Sequence, residues 1–197
     1  MKLVSIWNPK GGQGKSLLAL NLAAAAVDID LVPVVVCEDP QGTSTEFFQG
    51  GNLRFDVWKK IPTKKPEGVD LIIFDCQASN WSLPKTNLVV MPVKPIRSQF
   101  STYAKAYKQA KDANKRIITV VSDANVNRKE EREAKKQLEQ KGAFILSSSS
   151  AFGHADAALT TIFDDGVKEV KTAYKVNDRR KEVKAILAAI LNSEEEA

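Results

Sequence analysis

The sequence predicts an α/β domain with a mostly parallel central sheet and helices on both of its faces. Two observations carry this. Six short runs are apolar at consecutive rather than alternating positions, and longer helical stretches separate them; strands that are apolar on both faces belong to sheets covered on both sides. Polar residues gather just after these runs, at their carboxyl ends, where open α/β sheets form their ligand crevice.

In chain order, Leu3-Val4-Ser5-Ile6-Trp7 is the first strand and leads into a glycine-rich loop. Residues 16–27 (SLLALNLAAAAV) are rich in Ala and Leu and read as a buried helix. The β-branched run 32–37 ends in Glu38-Asp39-Pro40. Leu71-Ile72-Ile73-Phe74 ends at Asp75, Leu88-Val89-Val90-Met91 at Pro92, and residues 117–121 at Ser122-Asp123. Phe144-Ile145-Leu146 runs into four serines. Residues 100–115 read as an amphipathic helix, with Phe100, Tyr103, Tyr107 and Ala110 on one stripe and Lys105, Lys108, Lys111 and Lys115 on another. The aromatic stripe is read as core contact in preference to base stacking, and the lysine stripe taken alone is a solvated face. Residues 128–141 (RKEEREAKKQLEQK) form a solvated helix anchored by Ala134 and Leu138 and stopped at Gly142. Residues 63–68 read as an exposed loop, and no repeat or Pro/Gly linker splits the chain.

The composition narrows the class. The chain has 197 residues and a net charge of +5, ordinary values for one soluble domain able to bury a full core. Its two cysteines, Cys37 and Cys76, lack the spacing of a disulfide scaffold or a zinc site. No apolar run reaches the ~18 residues of a membrane span, and Met1 leads straight into a strand rather than a signal peptide. Secreted, membrane-spanning and zinc-ribbon classes are thereby set aside, leaving the expectation of a cytoplasmic protein. Residues 1–96 carry 10 basic and 9 acidic side chains and residues 97–197 carry 19 and 15, so the basic excess lies late in the chain. His154, the sole histidine, has no acidic or cysteine cluster around it and is read as structural or surface rather than as a general base.

Asn8-Pro9-Lys10-Gly11-Gly12-Gln13-Gly14-Lys15-Ser16 is the strongest chemical signal. It places G-x-x-G-K-S directly after a strand and before a helix, the context a phosphate-binding loop requires. Glycines let successive N–H groups curl around an anion, and the helix N-terminus adds partial positive charge. Lys15 is placed to reach the β- and γ-phosphates and the Ser16 hydroxyl to ligate Mg²⁺. A Gly/Lys turn that merely caps a helix is the plain alternative; the strand and helix on either side argue against it.

Lys10, five residues before Lys15, makes this loop a deviant Walker A signature. With it the chain resembles the ParA/MinD group of P-loop ATPases, most closely the small ParA-type (ParF-like) plasmid partition proteins that lack an N-terminal DNA-binding extension. Glu38-Asp39-Pro40-Gln41 resembles the D-x-D-P-Q element of the group, Leu71 through Asp75 its Walker B strand, and Met91-Pro92-Val93-Lys94-Pro95 its P-V-x-P turn. Residues 50–58, leading to Phe55-Asp56-Val57-Trp58, and residues 156–170 are looser matches.

The resemblance implies a single P-loop NTPase domain over residues 1–192, with 193–197 a frayed acidic tail. It implies ATP and Mg as ligands, held by Gly11, Gly12, Gln13, Gly14, Lys15, Ser16 and Leu17, with Pro92 near the base. Asp75 would hold Mg²⁺ through water and Asp39 would orient the attacking water. Lys10 would reach across an ATP-closed homodimer to the partner's nucleotide. The sequence also departs from the group: Cys37 replaces the first aspartate, Cys76-Gln77-Ala78 follows Asp75, and Leu17 stands where a second hydroxyl often lies. These changes lead to the expectation that hydrolysis is slow or partner-stimulated. A redox pair of Cys37 and Cys76 is the lesser reading beside two buried small hydrophobes.

The late basic cluster Lys168, Lys171, Lys175, Arg179, Arg180, Lys181 and Lys184 is interrupted by Glu169, Asp178 and Glu182. By the resemblance it becomes a surface for non-specific DNA, with Lys168, Lys171, Lys175, Arg179 and Arg180 as candidate phosphate contacts, and the protein becomes nucleoid-associated. A DNA-bound ParB/ParG-like or StbA-like protein would be its partner. Two alternatives stay open. One is a ParA-like ATPase of a conjugation system (StbB/VirC-type) that recruits plasmid DNA to a membrane apparatus. The other is a MinD-like membrane-associated ATPase using residues 183–191, a segment whose acidic sequel (Glu194-Glu195-Glu196) disfavours an anionic lipid surface and favours a docked helix. A nucleotide-binding protein without hydrolysis is a third reading, in which Asp39 is only a cap.

Overall fold

A computed structural model describes residues 1–39, 42–60, 66–124 and 128–193. Pro40 and Gln41 of the E-D-P-Q element, residues 63–65 of the 63–68 loop and the acidic tail after Ser193 lie outside the described residues. The elements are β1 (Lys2–Ile6), α1 (Lys15–Val27), β2 (Pro33–Cys37), α2 (Thr43–Gly50), β3 (Asp56–Trp58), β4 (Leu71–Asp75), β5 (Leu88–Val93), α3 (Arg97–Asp112), β6 (Arg116–Ala124), α4 (Lys129–Gln140), β7 (Phe144–Ser147), α5 (Ser150–Ala157), α6 (Asp165–Glu169) and α7 (Val176–Asn192). They form one seven-stranded sheet in the order β3-β2-β4-β1-β5-β6-β7, parallel at every pairing.

The sheet therefore has one strand more than the six apolar runs of the sequence. β3 is three residues long, too short to display a period, and becomes a strand because Asp56 to Trp58 pair with Val34 to Val36 at the sheet edge.

Strand residues divide between two cores by their alternation. Val4, Ile6, Val35, Leu71 and Ile73 point into a layer shared with α1, α5 and α7. Val36, Ile72, Phe74, Val89 and Met91 point into the opposite layer, closed by Tyr103, Ala106 and Ala110 of α3. Burial on both faces explains the unbroken apolar runs. Of the expected aromatic stripe, Tyr103 and Ala110 are buried, Phe100 and Tyr107 are half-buried, and Ala106 completes the contact. On α4 the half-buried Ala134 and Leu138 are joined by the buried Glu131, whose carboxylate takes Arg128 at 2.9 Å.

The small side chains of α1 let α7 lie close along it, burying Val183, Ile186, Leu187 and Ile190. This is the docked terminal helix expected from residues 183–191. The Lys2 ammonium bonds the carbonyls of Leu191 and Ser193 at the end of α7, where a cation opposes the negative end of the helix dipole. Among the described residues no helix is long and apolar enough to cross a membrane.

Candidate nucleotide-binding site

β1 delivers the glycine-rich loop to the carboxyl edge of the sheet, between β4 and β5, where the chain order changes direction. Asn8, completely buried, ties the loop down: its amide donates to the Pro92 carbonyl at 2.8 Å and its oxygen accepts the Lys10 N–H at 2.9 Å. Gly12 and Gly14 have φ of +71° and +80°, and a Cβ at either would meet nothing within 4 Å. The glycines are needed for left-handed backbone rather than for space. Gly14 then starts α1, so the helix points its amino end at the loop.

Gln13 is spent on the scaffold. Its side chain is buried, donates to Gln99 Oε1 at 2.9 Å and accepts the Lys94 N–H at 3.0 Å, while its carbonyl accepts the Ser122 hydroxyl at 3.0 Å. Its expected part in ligand binding is thereby limited to its backbone.

Lys15 is 7% exposed and faces the carboxylates of Asp75 and Asp39. Burial lowers its pKa, and the two carboxylates oppose that shift. Asp75, at the end of β4, is 1% exposed. Burial raises its pKa; hydrogen bonding from Ser44 and Ser16 and the charge of Lys15 act against it. The Ser44 hydroxyl donates to Asp75 Oδ2 at 2.6 Å, and Oδ1 is buried without a partner. An anionic oxygen left unsatisfied is costly, and its place beside Ser16 suits a hydrated Mg²⁺; the donors present thus fit that ion. Lys10, by contrast, projects an exposed side chain from the same loop.

On the other side of the loop a cavity of about 430 Å³ is lined by Gly12, Gly14, Leu17, Lys94, Asp123 and Phe152, and by Ser147, Ser148 and Ser149. Leu17 falls where expected. Pro92 does not line it: it lies inside β5, opposite Val120 of β6, and only its carbonyl serves the site, through Asn8. The residue that reaches the cavity is Lys94, paired with Asp123 at 2.9 Å.

Two of the basic residues offered as DNA contacts are corrected. Arg179 is 8% exposed and pairs with Glu182 at 3.0 Å. Arg180 donates to the carbonyls of Ile162 at 2.6 Å and Asp164 at 3.1 Å and stacks its cation on Phe163. Lys168, Lys171 and Lys175 remain on the surface. Cys37 and Cys76 are buried free thiols, and burial pushes the Cys76 thiol upward, as befits small hydrophobes. His154 Nε2 shares a hydrogen bond with Thr172 Oγ1 at 2.9 Å, a structural role.

Ser44 escaped the sequence reading because a hydroxyl at a helix start signals only a cap. The four serines were visible but carried no chemistry until the fold placed Ser147, Ser148 and Ser149 against the cavity.

No family model and no curated protein matches the sequence. Solved structures do. MinD complexed with Mg-ADP from Pyrococcus horikoshii has a TM-score of 0.67 at 12% identity, covering 100% of this chain and 99% of that one. A plasmid partition protein from Borrelia burgdorferi gives 0.66 at 14%, covering 98% and 99%. A chain of the MinC:MinD cell division protein complex of Aquifex aeolicus gives 0.70 at 11%, covering 100% and 98%. The chain thus has the fold of the MinD- and partition-type P-loop ATPases, along its whole described length.

Proposed function

We propose that the protein is a ParA-type switch ATPase that dimerises around MgATP, binds DNA non-specifically in that state, and positions plasmid or chromosomal DNA with a DNA-bound partner. The observation that carries this reading is the division of labour between the loop lysines: Lys15 is buried against Asp75 and Asp39, whereas Lys10 stands exposed beside the same phosphate site. A buried ammonium can neutralise phosphate in its own subunit. An exposed one at the loop's outer edge can do so for a second subunit, making the nucleotide part of the interface.

In this reading the loop amides of residues 11–16 bind phosphate oxygens and Lys15 holds the terminal phosphates. Ser16 and the free oxygen of Asp75 hold hydrated Mg²⁺, with Ser44 fixing the carboxylate's rotation. When bound, Mg²⁺ supplies charge neutralisation on the phosphates. Asp39, at the mouth of β2, orients the attacking water. Leu17 and Phe152 give the base an apolar wall. Lys168, Lys171 and Lys175 supply phosphate contacts to duplex DNA. The MinD-like alternative draws no support from α7, whose apolar face is already buried against α1. The conjugation role shares all of this chemistry and differs only in the partner.

The test is fluorescence anisotropy with non-specific duplex DNA in MgATP, MgADP or no nucleotide, at two salt concentrations. Binding that needs MgATP, collapses with salt and is lost in Lys10→Ala is expected, and Lys171→Ala should lower the log–log salt slope by about 1. Binding indifferent to nucleotide would remove the switch.

A further inference from the structure

The run Ser147-Ser148-Ser149-Ser150 takes no part in the loop chemistry, yet it is where the cavity and the basic surface meet. On one side, Ser147, Ser148 and Ser149 line the cavity across from Gly12 and Gly14. On the other side the same turn holds the stretch between α6 and α7. The Ser149 hydroxyl donates to the Tyr174 carbonyl at 2.6 Å. The Ser150 hydroxyl donates to the Thr172 carbonyl at 2.5 Å and accepts the Tyr174 N–H at 3.2 Å. Ser147 donates its N–H and its hydroxyl to the two oxygens of Glu182, both at 2.9 Å, fixing the end of β7 to α7.

Besides these serine bonds, the stretch is placed by the His154–Thr172 hydrogen bond and by two turn bonds, Ala173 N–H to the Val170 carbonyl at 2.9 Å and Tyr174 N–H to the Thr172 carbonyl at 3.1 Å. Lys171, Thr172, Tyr174 and Lys175 are exposed, with Tyr174 at 69%, and Ala173 alone is half-buried. Lys175 enters α7 at a φ of +56°, outside regular structure. Backbone groups that belong to no helix or ladder must find other partners, and here serine hydroxyls share that work with the two turn bonds, the serines alone taking the Thr172 and Tyr174 carbonyls across to α5. Where few apolar contacts exist, such hydrogen bonds decide the local opening free energy.

We propose that Ser149 and Ser150 form a clasp through which occupancy of the cavity sets the placement of residues 171–175, and that duplex DNA phosphate is what this placement presents Lys171 and Lys175 to. The proposal rests on the reading above, in which the cavity takes the nucleotide's base. A base seated against Ser147, Ser148 and Ser149 orders the turn. The hydroxyls on its far side then order the basic stretch, so the entropy of fixing both is lost once rather than twice. Ser149 and Ser150 are positioning residues in this account.

The experiment compares the native chain with Ser150→Ala, which removes two of the clasp bonds but leaves the cavity lining and the Ser149 cap of α5 intact, and with Ser150→Thr, which keeps a hydroxyl. Binding of a fluorescent ATP analogue should be unchanged across the three. Tryptic cleavage after Lys171 and Lys175 should slow with MgATP by at least about fivefold in the native chain and in Ser150→Thr, and should not respond in Ser150→Ala. Duplex-DNA affinity should lose its nucleotide dependence in Ser150→Ala alone. Retained protection in Ser150→Ala, or a native chain that binds the analogue with no change in cleavage, overturns the clasp. The same protection pattern without DNA binding overturns DNA as the partner. Failure of the analogue to bind the native chain defeats the nucleotide reading itself, and so is distinguishable from failure of the clasp.

Discussion

Around Lys15 the charged groups are few and sit at element ends: a buried lysine on the first turn of α1, a buried aspartate at the end of β4 and a half-buried one just after β2. Along the other rim, from β7 to α7, charge is plentiful, but its meaning depends on contacts between segments far apart in the chain. Arg179 and Lys175 lie four residues apart in the same basic cluster; one is buried on Glu182 and the other is exposed. Buried charge must be compensated or it destabilises the fold, so the first region has almost no freedom in residue type. The second can turn a basic residue to core, to a carbonyl or to solvent, and sequence alone does not say which.

Lys15→Ala should break the first region most severely. In the proposed role Lys15 is a preorganised cation at the phosphates, and its loss should lower the rate of phosphate release by about 10²–10³-fold with the fold intact, measured by steady-state assay and circular dichroism. A variant as active as the native chain would place the chemistry elsewhere. Glu182→Ala is the corresponding blow to the second region. It leaves Arg179 buried without its carboxylate and frees the end of β7, so stability should fall by about 2–3 kcal/mol in denaturant melts. An unchanged midpoint would show that Arg179 finds another partner.

Ser44→Ala sharpens the contrast from within the site. Asp75 would lose the Ser44 hydrogen bond, costing about 1–2 kcal/mol. The Mg²⁺ concentration for half-maximal nucleotide binding should rise, while binding in excess Mg²⁺ recovers. The smallest effect belongs to Asp28, where α1 ends and Lys184 of α7 reaches it. The Lys184 hydrogen bond, ahead of the neighbouring Arg54 and Arg180 charges, holds this carboxyl below its ordinary value of 3.8. A depressed carboxylate pKa contributes stability above the ordinary value and loses it as pH falls through the folded-state value. Thermal stability should therefore drop less between pH 5 and pH 3 in Lys184→Met than in the native chain, by a few tenths of a kcal/mol for so exposed a pair. A parallel pH profile in the two proteins would leave the contact without effect.

Legibility followed the same division. The phosphate loop could be read because strand, glycines, lysine and helix are contiguous, and the backbone geometry at Gly12 and Gly14 is a local demand. β3 was missed because three residues carry no period, and only pairing with β2 makes them a strand. Pro92 was assigned to the base on a motif that holds its position but not its orientation; inside β5 its carbonyl serves Asn8 instead. Gln13 sits in the loop yet turns its amide toward Gln99 and Lys94, a choice made by residues more than eighty positions away.

By itself the sequence determined the α/β class and the place of the glycine-rich loop between β1 and α1, since hydrophobic runs and a contiguous turn encode these directly. The tertiary structure alone decided that Ser44 fixes Asp75, that Arg179 and Arg180 are internal while Lys171 and Lys175 are not, and that Ser147, Ser148 and Ser149 back the cavity. The physical reason is that a polar side chain takes its role from the partner that satisfies it, and folding chooses that partner across the chain.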